Sequence, residues 1–390
     1  MNRRSFLGST ATATAAAAAG ALRVTAQTSS PAPALRAAVI GSTGHGDYGH
    51  GLDGIFTGRP GITCVAVADP NDTARKAAAK RIGAPRDYAD YHELLERERP
   101  QLVSIAMRHA DRHHEIGLAC LRAGAHCYFE KPFAQSSDEA DALLAEADRR
   151  NLRIAVAHTM RFVPRVRRLR EAVASGRLGE IAEFRAYGKQ DARAGGEDMM
   201  VLGSHLFDLL RAFAGDPLWV QGQVTVKGRP ITREDRRKVT DNVGWLAGDR
   251  VAATFGFAGG ATATFLSDAR LRETVGHWGI EIHGSRGVAR LNCDIAPNVF
   301  LRSTTGWSPT GRRDEWQPFE PAPADAPPSP EHNLGPVGDW LEAIRTDREP
   351  ECSGRNGAWA VEMVMGVYAS SLAGRRMAFP LEHRKHPLGD

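Results

Sequence analysis

Short apolar runs alternate with amphipathic segments between about residues 35 and 160. The apolar runs are rich in Val, Ile and Ala, while the segments between them repeat their apolar residues at helical spacing. Strands are predicted at 36–40, 63–68, 101–106, 126–129 and 153–157, with helices at 51–57, 73–81, 91–98, 114–123 and 137–149. Strands that alternate with helices of this length predict a doubly wound parallel sheet, so the expected fold class is α/β with a Rossmann-type N-terminal sheet.

The pattern changes after about residue 162. Alternating apolar and polar residues from about 218 to 300 are typical of an antiparallel meander. The elements predicted here are helices at 163–175, 198–214, 338–346 and 357–372, strands at 180–187, 251–257, 262–267 and 279–283, and a Pro- and Ala-rich loop at 320–330. The predicted domains are a lead-in at 1–34, a dinucleotide-binding domain at 35–160 and an α+β substrate and oligomerisation domain with a mostly antiparallel sheet at 161–390.

The first residues have the pattern of a twin-arginine export signal. Arg3 and Arg4 precede an alanine-rich, weakly apolar run that leads to a small-residue cleavage site near Ala26. A membrane-spanning helix is the alternative, but no bulky apolar residue lies between Leu7 and Leu22. We therefore expect a protein that is exported to the periplasm and has no membrane span.

Composition narrows the class of protein further. The chain has 390 residues, 42% of them hydrophobic, which predicts two to three folded domains at about 150 residues each. Its formal charge of +4 is a small surplus without basic blocks, so nucleic acid is not an expected partner. The five cysteines are scattered, which predicts small buried residues and neither a disulfide framework nor a metal site.

A glycine-rich turn follows the first predicted strand, where backbone N–H groups and a helix N-terminus can bind a pyrophosphate. Asp69 ends the second strand, 23 residues after Gly46, which is close to the spacing of the carboxylate that binds a ribose 2′-hydroxyl. Such a carboxylate favours NAD over NADP, although Arg75 nearby keeps NADP as an alternative. The predicted contacts in the turn are Gly41, Ser42, Thr43, Gly44, His45 and Gly46.

Further candidate residues follow later strands. Ala106 and His113 are expected near the cofactor, because ligands bind at the carboxyl edge of such a sheet. The sequence Glu130-Lys131-Pro132 follows the fourth long apolar run, where a lysine is either a solvated turn residue or an active-site ammonium. His205 and Asp208 share one face of a predicted helix, and a histidine among leucines is either a core residue or a functional one.

Together, these motifs resemble the Gfo/Idh/MocA oxidoreductase family over about residues 35 to 385. The resemblance rests on the glycine turn, Asp69, Glu130-Lys131-Pro132, Arg161 and Gly203-Ser204-His205 with Asp208. It implies hydride transfer between NAD(P) and a hydroxyl or carbonyl group of a sugar or cyclitol. It also implies cofactor contacts at Glu130 and Lys131, catalytic roles for Lys131, His205 and Asp208, and substrate contacts at Lys131, His158, Arg161, His205 and Asp208.

This chain departs from the family pattern in its glycine spacing and at two further places. Val201 stands where the family has an aspartate, and Met107-Arg108 replaces a threonine-proline pair. Three hypotheses for the missing acid stay open: Asp198 substitutes for it, Lys131 and His205 suffice, or the chemistry differs. In the second case, Lys131 is the base if burial lowers its pKa, and His205 shares the hydroxyl hydrogen bond or takes the proton itself.

Two other functions remain as alternatives. One is an NAD-dependent glycosidase that works by transient oxidation and elimination. The other is a nucleotide- or sugar-binding protein that lost catalysis together with the acid at position 201. In each case, the expected partner is a small carbohydrate, and the second sheet offers a face for a homo-oligomer.

Overall fold

Six parallel strands form the first sheet of the computed structural model, which describes residues 34–272, 278–293, 297–303, 315–319 and 333–389. The strands are β1 Leu35–Ile40, β2 Ile62–Ala68, β3 Arg86–Tyr88, β4 Leu102–Ile105, β5 His126–Phe129 and β6 Ile154–Val156. The helices among them are α1 Asp72–Ile82, α2 Tyr91–Glu98, α3 His113–Arg122 and α4 Ser137–Arg149. The predicted α/β class is confirmed. The predicted loop at 320–330 and the signal sequence before residue 34 lie outside the described residues.

Strand order explains where a ligand can bind. The order is β3-β2-β1-β4-β5-β6, so the direction of winding reverses between β1 and β4. In such sheets, a crevice opens at the carboxyl ends of the two strands that flank the reversal. The residues that follow β1, β2, β4 and β5 therefore meet at one edge.

The second sheet has ten strands in the order β15-β14-β13-β12-β7-β11-β10-β8-β16, with β9 paired to β8. It is mostly antiparallel as predicted, except that β7 pairs with β11 in parallel. Its strands are β7 Ile181–Tyr187, β8 Pro217–Val226, β9 Arg229–Pro230, β10 Arg250–Phe257, β11 Thr262–Asp268, β12 Gly279–Gly284, β13 Gly287–Asn292, β14 Asn298–Arg302, β15 Gln317–Pro318 and β16 Met377–Ala378. The accompanying helices are α5 Pro164–Ala174, α6 Gly196–Val201, α7 Gly203–Ala214, α8 Leu334–Thr346 and α9 Gly354–Ala373.

Two predicted helices were wrong in ways that matter for the site. Instead of a helix at 51–57, the structure has a six-residue 3-10 segment, Gly49–Gly54, in which His50 and Gly51 adopt φ angles of 48° and 74°. Instead of one helix at 198–214, α6 and α7 are separated at Leu202. In both places, the apolar spacing indicated a helix, but local backbone geometry interrupts it.

The C-terminal part of the chain also packs on the first sheet. Trp340 of α8 is fully buried, its ring packs against Phe56 and Tyr128 at centroid distances of 6.4 and 5.7 Å, and its indole Nε1 donates to the carbonyl of Arg153 at 3.1 Å. The boundary predicted at 160/161 stays a prediction, but this helix belongs spatially with the N-terminal strands. All five cysteines are free and buried, as expected. Within the described ranges, no helix is long and apolar enough to cross a membrane.

Candidate active site

Lys131 lies two residues beyond the end of β5, at the carboxyl edge of the first sheet. Its side chain is buried, with only 8% exposed, and its Nζ donates to the carbonyl oxygen of Val201 at 3.3 Å. Burial lowers the pKa of Lys131 from its ordinary value, while the charge of Glu130 acts in the opposite direction. A lysine with a lowered pKa loses its proton more readily than a solvated turn residue.

The break between α6 and α7 makes the carbonyl of Val201 available to this lysine. In a continuous helix, that oxygen would accept the N–H of His205, four residues later. Instead, His205 N donates to Leu202 O at 3.2 Å, so the Val201 oxygen has no helical partner. Lys131 therefore donates a hydrogen bond to the backbone carbonyl of Val201, the residue that stands where the family has an aspartate.

Asp198 does not substitute for that acid. Its buried carboxylate accepts hydrogen bonds from Ser267 Oγ at 2.6 Å and from the backbone N–H groups of Gln190 and Lys189 at 3.0 and 3.2 Å. These three donors tie α6 to β11 and to the segment that follows β7. The hypothesis that Asp198 replaces the missing acid was therefore wrong.

Three aromatic rings with unpartnered polar atoms cluster near Lys131. The His205 ring packs edge-on against His158 and Trp278, with centroid distances of 5.6 and 5.8 Å. Both ring nitrogens of His158, Nδ1 of His205 and Nε1 of Trp278 are buried without a hydrogen-bond partner in the described structure. Unpaired buried polar atoms cost about 1–3 kcal/mol each, so this cluster is suited to a polar ligand.

Both histidines in this cluster are neutral near pH 7. Burial is the main cause that lowers the pKa of His158, and it holds the pKa of His205 well below 6.5. The charge of Lys131 adds to the effect on both rings. Each ring can therefore accept one hydrogen bond and donate another, which suits hydroxyl groups.

Arg161 and Asp208 lie beside this cluster but bind each other. Arg161 Nε donates to both carboxylate oxygens of Asp208, at 2.7 and 3.0 Å, and its NH2 group donates to the Asp208 carbonyl at 3.0 Å. Both side chains are almost fully buried. His158 Nδ1 lies 3.8 Å from a carboxylate oxygen of Asp208, beyond hydrogen-bonding range. Substrate and catalytic roles for Arg161 and Asp208 remain predictions, and the contact that the structure shows is a buried ion pair.

His50 is a neighbour of the site that sequence reasoning missed. Its Nδ1 contacts a carboxylate oxygen of Glu130, whose other oxygen accepts the backbone N–H of Lys131 at 2.6 Å. Burial acts to raise the pKa of Glu130, but the His50 contact and the charge of Lys131 outweigh it and hold that pKa below its ordinary value. Glu130 is therefore a fixed negative charge beside Lys131.

The glycine turn is closed on itself. The backbone N–H groups of Ser42, His45 and Asp47 donate within the turn, at 2.8 to 3.3 Å. Gly44 N donates to the Asp47 side chain at 2.9 Å, and Thr43 N donates to Asp69 at 3.0 Å. Most of the backbone N–H groups that were predicted to bind a pyrophosphate therefore already donate to oxygen atoms of the protein.

Asp69 also differs from its prediction. Its fully buried carboxylate accepts hydrogen bonds from the Thr43 hydroxyl at 2.8 Å and from the backbone N–H groups of Thr43 and Asn71. The Thr43 hydroxyl therefore takes the place predicted for a ribose hydroxyl. Arg75 is bound by Asp87 and Asp72, both at 2.5 Å, so it is not free for a 2′-phosphate.

Two further predicted cofactor residues act within the fold. The side chain of His113 is fully buried, and its ring nitrogens lie 2.9 Å from the carbonyls of Pro132 and Met107, so it cannot touch a cofactor. Ala106 is also buried, and its carbonyl accepts Gly49 N at 2.7 Å. Both residues hold the edge of the sheet together, and the predicted contact of His113 was wrong.

One cavity lies at this edge of the sheet. It has a volume of about 110 Å³ and lies at the carboxyl ends of β1 and β2, with Ile40 and Ile116 as apolar walls and Asp69 and Arg112 as polar ones. Asp90 and Tyr91 also line this cavity, so it combines apolar walls with several polar groups, a lining suited to a nucleoside. Lys131 follows β5 at the same carboxyl edge of the sheet. In the described residues, no group of three or more His, Cys, Asp or Glu side chains could hold a metal ion.

The fold and this edge define a two-domain dinucleotide-binding oxidoreductase. The family model described as an oxidoreductase family with an NAD-binding Rossmann fold matches residues 35–158, and the model of the Gfo/Idh/MocA C-terminal domain matches residues 166–290. The chain belongs to the Gfo/Idh/MocA family. It is an NAD-dependent oxidoreductase that acts on CH–OH groups.

Individual relatives are distant but match along much of the chain. A D-apiose dehydrogenase of Paraburkholderia graminis is 24% identical over 81% of this chain and 82% of its own length. A trans-1,2-dihydrobenzene-1,2-diol dehydrogenase of Bos taurus is 29% identical over 66% and 72%, respectively. The solved structure of a levoglucosan dehydrogenase in complex with NADH and levoglucosan superposes with a TM-score of 0.70 at 19% identity, covering 89% of this chain and 99% of that one. At this identity, the likeness shows the fold.

Proposed function

We propose that this oxidoreductase transfers hydride between NAD and a secondary hydroxyl or carbonyl group of a sugar or cyclitol. The observation that carries the proposal is the cluster of His158, His205 and Trp278 beside Lys131, with four unpartnered ring nitrogens. The names of the relatives, which include a dehydrogenase for D-apiose and one for a vicinal diol, support the same class of substrate.

A polyhydroxylated ring satisfies both properties of this cluster. Its hydroxyl groups can donate to and accept from the imidazoles and can accept from the indole N–H. Its C–H faces can pack against the aromatic surfaces that the same side chains present. An anionic ligand is less suited to the cluster, because both histidines are neutral and Glu130 holds a negative charge nearby.

In this proposal, Lys131 and His205 bind the hydroxyl group that is oxidised and remove its proton. Bound NAD supplies the hydride-accepting chemistry. Lys131, whose pKa is lowered by burial, accepts the proton in its neutral form, while His205 hydrogen-bonds to the hydroxyl oxygen. The Val201 carbonyl fixes the amine in place, so Lys131 and His205 act without the carboxylate that the family has at position 201.

The test is to purify the protein, load it with NAD and follow the near-ultraviolet absorbance of NADH while sugars, cyclitols and glycosides are added. We expect NADH to accumulate with at least one neutral polyol. Glycoside cleavage without net NADH would instead indicate the glycosidase alternative. Tight binding without any reaction across the panel would indicate a binding protein.

Trp278 provides a sharper test of the substrate pocket. Trp278→Phe keeps an aromatic ring but removes the N–H donor, so we expect KM for the substrate to rise about tenfold, the loss of one hydrogen bond, with a smaller change in kcat. Trp219 on β8 offers a matched Trp→Phe control away from the site. An unchanged KM would show that the indole N–H does not bind the substrate.

We also propose export by the twin-arginine pathway, on the basis of Arg3, Arg4 and the alanine-rich run. Replacing both arginines with lysine should retain the protein in the cytoplasm, as measured by cell fractionation. A homo-oligomer remains an expectation, which light scattering on the purified protein can check.

A further inference from the structure

We propose that Arg108 binds the pyrophosphate of NAD, in place of the backbone N–H cradle that the glycine turn usually supplies. Arg108 lies three residues beyond the end of β4, at the point where the order of strands reverses. This is one side of the crevice in which a dinucleotide crosses a Rossmann sheet. The inference rests on NAD as the cofactor and not on the identity of the substrate.

The turn itself offers little to a pyrophosphate. Five of its backbone N–H groups, from Ser42 to His45 and at Asp47, already donate to protein oxygens. The segment that follows, Gly49–Gly54, is a short 3-10 stretch interrupted by left-handed residues, so it has no α-helix N-terminus to attract an anion. Two negative charges therefore need another partner at this edge.

Arg108 is positioned to be that partner. Its backbone N and its Nε approach the carbonyl of Gly46 at 3.3 and 3.4 Å, which holds the side chain against the turn. A methyl group built on Gly49 would lie 2.5 Å from Cγ of Arg108 and 2.7 Å from Glu130 Oε1. The stem of Arg108 therefore crosses Gly49, between the glycine turn and the site of Lys131.

The charge of Arg108 is also available. The residue is exposed, and among the described residues no carboxylate forms an ion pair with it. By contrast, nearby Arg75 and Arg112 pair with Asp72 and Glu115. A guanidinium group presents its N–H donors in a fork that fits two phosphate oxygens at once.

The experiment measures binding of NAD, ADP and adenosine to Arg108→Gln by calorimetry, at low and high salt. We expect NAD and ADP to bind about 10- to 100-fold more weakly than to the unmodified protein, the loss of a charge-assisted hydrogen bond. Adenosine, which has no phosphate, should bind with unchanged affinity. The salt dependence of NAD binding should also become weaker.

Two variants complete the design. Arg122→Gln removes an exposed arginine at the far end of α3, so it should leave all three affinities unchanged. Arg108→Lys keeps the charge without the fork and should give an intermediate loss. Unchanged NAD and ADP affinities in Arg108→Gln would overturn the proposal and indicate that the turn opens to bind the pyrophosphate. An equal loss for adenosine would overturn it too, by indicating a general effect on the edge.

Discussion

Lys131→Ala is expected to lower kcat by about 10²- to 10⁴-fold while NAD still binds. General acid–base catalysis by one group typically contributes about this much, and the variant removes the amine that we propose as the base. NAD binding should survive because Lys131 Nζ contacts Val201 O and not the part of the edge suited to the adenosine. Steady-state rates and an NADH fluorescence titration measure the two properties separately.

The pH dependence of the unmodified enzyme tests the same role. Because burial lowers the pKa of Lys131, the neutral amine is present at a lower pH than for an ordinary lysine. We expect kcat/KM to rise with pH with a midpoint below 10.5, where a solvated lysine would titrate. The residual kcat/KM of Lys131→Ala should not rise with pH in this way.

Lys189→Ala is the matched control, because Lys189 is about half exposed near the second sheet. It should leave both the rate and the pH profile unchanged. Near-normal turnover in Lys131→Ala would contradict the role given to Lys131. Lost NAD binding in the same variant would show that the lysine supports the cofactor and not the proton transfer.

Sequence reasoning predicted the elements whose signals are local. Five of the six strands of the first sheet, most of its helices and the lysine after β5 follow from apolar periodicity and from the position of a strand end, whereas the three-residue strand β3 was not predicted. Because the carboxyl ends of parallel strands meet at one edge, the sequence alone predicts that the glycine turn, Asp69 and Lys131 lie near one another.

The rest depends on contacts between residues that are distant along the chain. Periodicity indicated one helix through Val201, but the break at Leu202 turns a carbonyl toward Lys131, 70 residues earlier. Trp278 precedes a strand and carries no motif, so only the packing of its ring on His205 identifies it. Asp69 directly follows β2, as its spacing from the glycine turn indicated. Its carboxylate, however, accepts a hydrogen bond from the Thr43 hydroxyl within that turn, a contact that no spacing indicates.

Asp208→Asn is expected to lower the free energy of unfolding by about 3–5 kcal/mol. The substitution removes the negative charge that two hydrogen bonds from Arg161 Nε neutralise, and it leaves a guanidinium buried without a counter-ion. Urea denaturation at pH 7 measures the change. Glu342→Gln breaks an exposed pair with Arg345 and should cost no more than about 1 kcal/mol.

A second substitution distinguishes a structural role of the Arg161–Asp208 pair from a catalytic role of Asp208. Replacing Arg161 with methionine in the Asp208→Asn background removes the stranded charge, so the double variant should recover part of the lost stability. A catalytic Asp208 predicts the opposite pattern: near-normal stability in Asp208→Asn, a large loss of kcat and no recovery in the double variant. Because His158 Nδ1 lies 3.8 Å from the Asp208 carboxylate, a purely structural role should still raise KM by loosening that ring, with kcat reduced less than in Lys131→Ala.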